Sequence, residues 1–277
     1  MRLLIICLFV STLAFGQKHY HKAFHDNGNL KEEGWLLNGE KLDYWKFYYS
    51  NGNVKEEGHF NNDLKTGYWK TFYSNKNLRA EGHIENNQPD GFWRFYYNNK
   101  TLKKEGHYLN GIASNHWAFY HQNGTLQTKG VFKNGKRSGY WKIYYDNKVL
   151  EKEGAYVNDK EHGYWRFFHK NGQLEKDGQF KLGKFNSYWQ FYAQNGNKTS
   201  EGHYVNGKKQ NWWLFYDENE KINHKCQLSN NQKNGYCLKY KNEKLYSAVK
   251  YENGKRIKEW TDLKSFKKEN KLSDLRS

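Results

Sequence analysis

The chain has 277 residues, with 46 Lys and Arg against 29 Asp and Glu, giving a formal net charge of +17. Only 36% of its residues are hydrophobic while 18% are aromatic, so aliphatic side chains are too few to fill one compact core at this length. The charge favours acidic partners: an acidic protein surface, anionic lipid head groups or acidic glycans. Lysines that merely solvate the surface would give the same count.

Residues 1–16 carry an early charge at Arg2, an apolar run from Leu3 to Val10 and small residues at Ala14 and Gly16. This pattern predicts a cleavable secretory signal peptide, the run being too short for a permanent membrane helix. Cys7 lies inside the run behind Ile6, which is not small, and that argues against a lipoprotein. No later stretch reaches transmembrane length. The mature chain is therefore expected to be exported: periplasmic, outer-membrane-associated or secreted. Export makes nucleic acid an unlikely partner despite the basic charge.

From residue 17 onward one interval governs the sequence. Trp45, Trp69, Trp93, Trp117, Trp141, Trp165, Trp189 and Trp213 stand 24 residues apart, and Gly34, Gly58, Gly82, Gly106, Gly130, Gly154, Gly178 and Gly202 keep the same step. Self-similarity at such a period marks an array in which each unit packs mainly on its neighbours. Within a unit, two short aromatic or alternating runs are separated by turns of the Asn-Gly type, as at Asn51-Gly52 and Asn38-Gly39. Such turns join antiparallel strands into hairpins. The predicted fold is all-β: an elongated, twisted antiparallel sheet of tandem 24-residue β-hairpin repeats, a single array over residues 17–263 followed by a basic C-terminal tail, 264–277, that is a short capping helix or disordered.

A two-residue first turn at Asn51-Gly52 sets Trp45 opposite Gly58 and Lys46 opposite Glu57. A four-residue second loop then sets Gly58 opposite Trp69 and Glu57 opposite Lys70. Charge complementarity supports this register: along one row run Lys46, Glu57, Lys70, Glu81, Arg94 and Glu105, then Lys142, Glu153, Arg166 and Asp177. Because side chains alternate between faces, the neighbouring row is a structural seam of tryptophan and glycine, in which each indole lies over an empty backbone position. The opposite face carries Tyr44, Tyr68, Tyr140, Tyr164 and Tyr188 with His59, His83, His107 and His203, and is expected to be wetter. On it, Tyr68, His83, Tyr140, Tyr164 and His203 are the candidate contact residues.

Towards the end, Cys226 and Cys237 replace the glycine and tryptophan that the register places opposite each other. In an exported protein they are expected to form a disulfide. One residue is lost near Asn242, after which Asn253-Gly254 and Trp260 are expected to resume the pattern.

The string Asn-Gly-x-Leu-x-x-Glu-Gly-x-Tyr-x-Asn-Gly-Lys-x-x-Gly-Tyr-Trp, best seen over Asn51 to Trp69, Asn123 to Trp141 and Asn195 to Trp213, resembles the MORN repeat variant found in bacterial proteins and in antitoxin-like proteins of the YwqK type. The resemblance covers Phe24 to Trp260. It implies a sheet of successive hairpins used for protein or lipid contact, and no catalytic residues. Asp43, Asn115, Ser187 and Asn211 stand where the motif has glycine, which leaves the shape of those second loops open.

A catalytic centre needs a locally unique set of residues, whereas the glutamates here are copies of one repeated position. The series His59, His83, His107 suggests a metal stripe until spacing is considered: equivalent residues two strands apart are roughly 9 to 10 Å distant, too far for shared coordination at about 2 Å. No phosphate loop, nucleophile triad or metal motif is present, so no cofactor is expected. The sequence reads as a non-enzymatic exported scaffold that binds a protein or an acidic envelope surface, lipid head group or glycan, through one face. Alternatives are a carbohydrate-binding module using aromatic rows and an antitoxin-like protein-binding partner, although export would separate the latter from a cytosolic toxin.

Overall fold

The computed structural model describes residues 16–275, so the signal-peptide reading lies, apart from Gly16, outside the described residues. These contain twenty-one strands, β1 to β21 in chain order, one α-helix and one short 3-10 helix. Two compact units are distinguished: residues up to Lys100 with Tyr108–Gly111, and Thr101–His107 with the residues from Ile112 onward. In the first unit β1 (His19–Phe24) through β7 (Gln88–Tyr96) pair antiparallel, each with the next. In the second, β9 (Ile112–Tyr120) through β21 (Lys255–Trp260) do the same. The fold is all-β, built of tandem hairpins.

Both turns differ from expectation, in a way that leaves the register intact. At the first, Gly52 N–H donates to the Tyr49 carbonyl at 2.9 Å, Tyr49 N–H to the Asn53 carbonyl at 2.8 Å, and only Gly52 of the pair has positive φ, +82°. This is a three-residue loop, Ser50 to Gly52, closed by a left-handed glycine. The surplus residue is taken up by a bulge: Tyr48 pairs with Val54 but Phe47 with Glu56. At the second, Asn61 pairs with Leu64, and Asn62 and Asp63 have φ of +48° and +59°. That is a two-residue type I′ turn, whose twist matches the strands, rather than a four-residue loop. The two residues saved reappear as a bulge at Gly67 and Tyr68, between the pairs His59–Thr66 and Glu57–Lys70. The rows therefore stand as expected: Trp45 opposite Gly58, Lys46 opposite Glu57, Glu57 opposite Lys70.

The second bulge needs a left-handed residue. Gly67, Gly91, Gly139 and Gly163 supply it at +66 to +73°, and Asp43, Asn115, Ser187 and Asn211 adopt the same conformation at +58 to +61°. The departures from glycine thus leave the loop unchanged. Asp and Asn tolerate this region through local hydrogen bonds; serine does so less readily. Ser187→Gly is expected to raise stability by about 1 kcal/mol, read by thermal denaturation. A lower melting temperature would show that the Ser187 hydroxyl, 3.1 Å from Asn186 Nδ2, outweighs the strain.

Turn side chains also tie each repeat to the next. Asn51 Nδ2 donates to the Ser74 carbonyl at 3.1 Å and Tyr49 Oη to the Phe72 carbonyl at 2.8 Å. His169 Nε2 lies 3.1 Å from the Tyr192 carbonyl in the position equivalent to Tyr49. At the other end, Asp63 Oδ1 accepts from Lys41 N–H at 2.8 Å. Asparagine here satisfies neighbouring backbone as well as shaping its own turn.

The aromatic spine lies on the tryptophan face. Between successive indoles sits a residue two positions after each glycine. Phe60, Phe132, Tyr156, Phe180 and Tyr204 meet the following indole edge-on at 4.9 to 5.2 Å and the preceding one at 6.0 to 6.4 Å. Such pairs add about 0.5 to 1.5 kcal/mol each beyond area burial.

The C-terminal end corrects one expectation. Cys237 pairs with Val249, while Leu238 pairs with Ala248 and Ala248 with Trp260. Val249 still faces the seam, but it pairs with Glu259: the bulge between Tyr251–Arg256 and Lys250–Lys258 holds one residue where the earlier repeats have two, and this one-residue slip turns Trp260 onto the face opposite the other indoles. There Trp260, Tyr236, Leu238, Ala248 and Phe266 form a buried cluster. Phe266 comes from α1 (Leu263–Glu269), capped by Asp262, whose carboxylate accepts from Ser265 N–H at 2.7 Å. The tail thus begins as a capping helix. Trp260 Nε1 is buried with no hydrogen-bond partner.

Candidate functional site

The seam explains why the repeat needs tryptophan with glycine. A Cβ on any of the eight glycines from Gly34 to Gly202, Gly58, Gly82 and Gly106 among them, would lie 2.1 to 2.5 Å from Cδ2 of the indole eleven residues later. The ring therefore rests directly on the glycine backbone. Its Nε1 then reaches the carbonyls that the bulge releases from strand pairing: Trp69 donates to His59 at 3.2 Å and Thr66 at 3.0 Å. Trp189 donates to Gln179 at 3.0 Å and Asn186 at 3.2 Å. Lysines lie over the rings, with Lys41 Nζ 4.3 Å from Trp45, Lys65 4.1 Å from Trp69 and Lys209 4.0 Å from Trp213. Lys65 is held there by Glu56 at 2.8 Å. The eight indoles are 0 to 5% exposed, so the chain itself covers them and they offer no contact surface.

Cys226 and Cys237 sit opposite each other with a Cα separation of 4.0 Å and are joined by a disulfide. Buried beside Trp213 and Val249, they take the place of one glycine and indole.

The opposite face is where the molecule presents side chains. Tyr68 is 43% exposed, Tyr140 53% and Tyr164 54%, and His83 and His203 are exposed. Tyr68 meets His83 edge-on at 5.3 Å, and Tyr188 meets His203 at 4.9 Å. Tyr68 and His83 belong to the first unit; Tyr140, Tyr164 and His203 belong to the second.

Under this wet rim, however, the carboxylates are buried: Glu153, Asp177 and Glu201 are among the few buried charged groups. A second set of tyrosines serves them. Tyr48 Oη donates to Glu33 at 2.6 Å, Tyr120 to Glu105 at 2.8 Å, Tyr96 to Glu81 at 2.9 Å, and Tyr216 to Glu201. Where this tyrosine is Phe168, Glu153 is instead gripped by Arg166 and by Lys142 at 3.6 Å. The signal was in the sequence as a glutamate followed by tyrosine fifteen residues later. The pair sits on adjacent strands with a turn and a bulge between, so no local pattern betrays it.

These bonds make stability pH-dependent. Burial by itself would raise the Glu201 pKa, but donors from Gln190, Lys198 and Tyr216 hold it down to about 2. Glu33 is lowered chiefly by the Tyr48 hydroxyl. Burial, then the nearby carboxylates, push Tyr44, Tyr96, Tyr120, Tyr164 and Tyr188 up to about 12. A carboxyl depressed in the fold contributes stability above its ordinary value of 4.5 and loses it as pH falls towards about 2. A tyrosine raised in the fold contributes below its ordinary value of 10.0 and loses it as pH rises through about 12. The melting temperature is expected to be flat between these ordinary values and to drop on either side. A melting temperature that keeps rising on acidification below pH 4.5 would contradict the burial of these carboxylates.

Among the described residues no three His, Cys, Asp or Glu are grouped to hold a metal ion, and no helix is long and apolar enough to cross a membrane.

The profile of the MORN repeat variant matches six tandem stretches, residues 44–62, 65–86, 89–110, 115–134, 137–158 and 161–182. The hairpins continue in both directions beyond these matches. No curated protein matches the chain. Among solved structures, those of TcdB2-TccC3 and of TcdB2-TccC3-Cdc42 are each similar over 84% of this chain at 11% identity with a TM-score of 0.21. That of the Photorhabdus luminescens Tc holotoxin pore is similar over 84% at 10% identity with a TM-score of 0.20. This chain spans only 14 to 15% of the length of those chains.

Proposed function

The chain belongs to the MORN repeat variant family, and from that premise we propose that it is a non-enzymatic, exported scaffold that binds a protein or an acidic envelope surface through the tyrosine-bearing face of its repeats. The observation that carries this reading is the asymmetry of the two faces. The tryptophans are sealed by the chain's own lysines and phenylalanines, while tyrosines recur at 40 to 54% exposure on the other side. Tyrosine offers a large, rigid contact area with a polar tip, the composition of interface anchors. The net charge of +17 supplies long-range attraction to an acidic partner. A buried disulfide supports an oxidising compartment, and thereby export. A sugar-binding role would have to use the tyrosine-bearing face, where Trp35 is also exposed, because the eight seam indoles are closed off.

Tyr68→Ala combined with Tyr140→Ala tests the reading, since Glu81 keeps its Tyr96 donor and Glu153 its Arg166 and Lys142 partners. Binding of envelope components to immobilised protein is expected to fall at least about tenfold while the melting temperature stays within a few degrees, as for exposed aromatic anchors. Wild-type binding should also weaken in roughly 0.5 M salt. Undiminished binding by the double variant would rule out this face.

A further inference from the structure

Apart from a break where Ala118 faces Lys129 and Lys129 faces Lys142, acids and bases alternate along the charge row as far as Arg166. Beyond it the row reads Asp177, Gln190, Glu201, Leu214, each opposite the next. Two acids persist where the base between them has become glutamine. Glu201 is compensated by Gln190 Nε2 at 3.0 Å, Lys198 Nζ at 2.8 Å and the Tyr216 hydroxyl. Asp177 is not. The Arg166 guanidinium beside it turns to Glu153, and the Gln190 amide turns to Glu201. Asp177 is only 9% exposed. One of its oxygens, Oδ2, accepts from the Tyr164 hydroxyl, but Oδ1 is buried with no hydrogen-bond partner. An uncompensated carboxylate oxygen at such depth is costly unless a cation meets it.

A cleft of about 220 Å³ opens at this point, lined by Tyr164, Asp177, Gln179, Ser187, Tyr188 and Gln190. The tyrosines belong to the exposed row. We propose that this cleft is a binding site for a primary alkylammonium group, with the Asp177 carboxylate as counter-charge, the Gln179, Ser187 and Gln190 oxygens as further acceptors and the two tyrosine rings as walls. A single carboxylate among neutral oxygens and aromatic faces suits an organic ammonium. A divalent cation calls for a fuller set of oxygen ligands, commonly with several carboxylates. The site requires only the cleft and no macromolecular partner, so it stands or falls separately from the scaffold reading.

Titration of the full chain, carrying ring-labelled tyrosine, with n-butylammonium is expected to shift the Tyr164 and Tyr188 resonances saturably. Asp177→Asn keeps the shape and removes the charge, and should weaken binding at least about tenfold. Gln190→Lys restores the missing base: it should raise the melting temperature and abolish binding together, which keeps the test decisive if Asp177→Asn folds poorly. Parallel titrations with spermidine and with end-blocked lysine show whether a free polyamine or a protein side chain is the better source of the ammonium. No saturable shift in the wild type, or equal saturation in Gln190→Lys, overturns the site.

Discussion

Trp165→Ala is expected to lower the unfolding free energy by about 3 to 5 kcal/mol, the upper range for a buried aromatic. Trp165 is 0% exposed. Its ring is met edge-on by Tyr156 at 4.9 Å and Phe180 at 6.1 Å, and its Nε1 donates to the Ala155 carbonyl at 3.0 Å. Alanine removes both aromatic contacts and leaves that carbonyl unpaired. Gly154→Ala attacks the same contact from beneath, because the new methyl would lie 2.3 Å from Cδ2 of Trp165. Neither the backbone nor the wedged ring has room to yield, so this single methyl should also be strongly destabilising. The two changes should not add. With the indole gone the methyl occupies vacated space, and the double variant should be no less stable than Trp165→Ala alone. Urea unfolding of the four proteins gives the coupling directly. Additive losses would mean that the ring does not rest on the glycine.

The seam was legible in the sequence because two signals agreed: the tryptophan and glycine intervals fixed which rows face each other, and the alternating charges fixed the register. The turns were not, and the reason is arithmetical. A pairing such as Lys46 with Glu57 constrains only the residues enclosed, so a three-residue loop with one bulged residue and a two-residue turn with two bulged residues both pass unseen. Asn-Gly does not separate these cases, since the pair serves either turn type. Phe60 and its equivalents carry no charge to reveal their partners, and so their place between the indoles emerged only in three dimensions. Trp260 shows the reverse problem. Its identity and near-correct spacing suggested a further seam residue, but a bulge one residue shorter in the last hairpin inverts its facing entirely. The break at Gln190 is visible in the sequence, yet its consequence depends on where Arg166 turns.

The last departure from the repeat, Cys226 with Cys237, yields the sharpest test of the seam as a set of interchangeable slots. Closing a short loop with a disulfide contributes on the order of 2 to 4 kcal/mol. Here the loop spans a sequence separation of 11 and contains the turn and bulge that precede the final strands. Cys226→Ala with Cys237→Ala should lose that contribution and leave a void beside Trp213 and Val249, both 0% exposed. Cys226→Gly with Cys237→Trp instead rebuilds the arrangement found eight times upstream. The left-handed residue of the bulge is still present as Gly235, at φ +107°. A ring at position 237 would find an open glycine beneath it, although Val249 takes the place of the glycine that backs the earlier indoles. The glycine–tryptophan variant should therefore recover a large part of the stability lost by the alanine pair. It should also melt at the same temperature with and without reductant, whereas the wild type should melt lower when reduced. If it proves less stable than the alanine pair, the disulfide is more than a substitute for a stacked indole, and the last hairpins follow packing rules of their own.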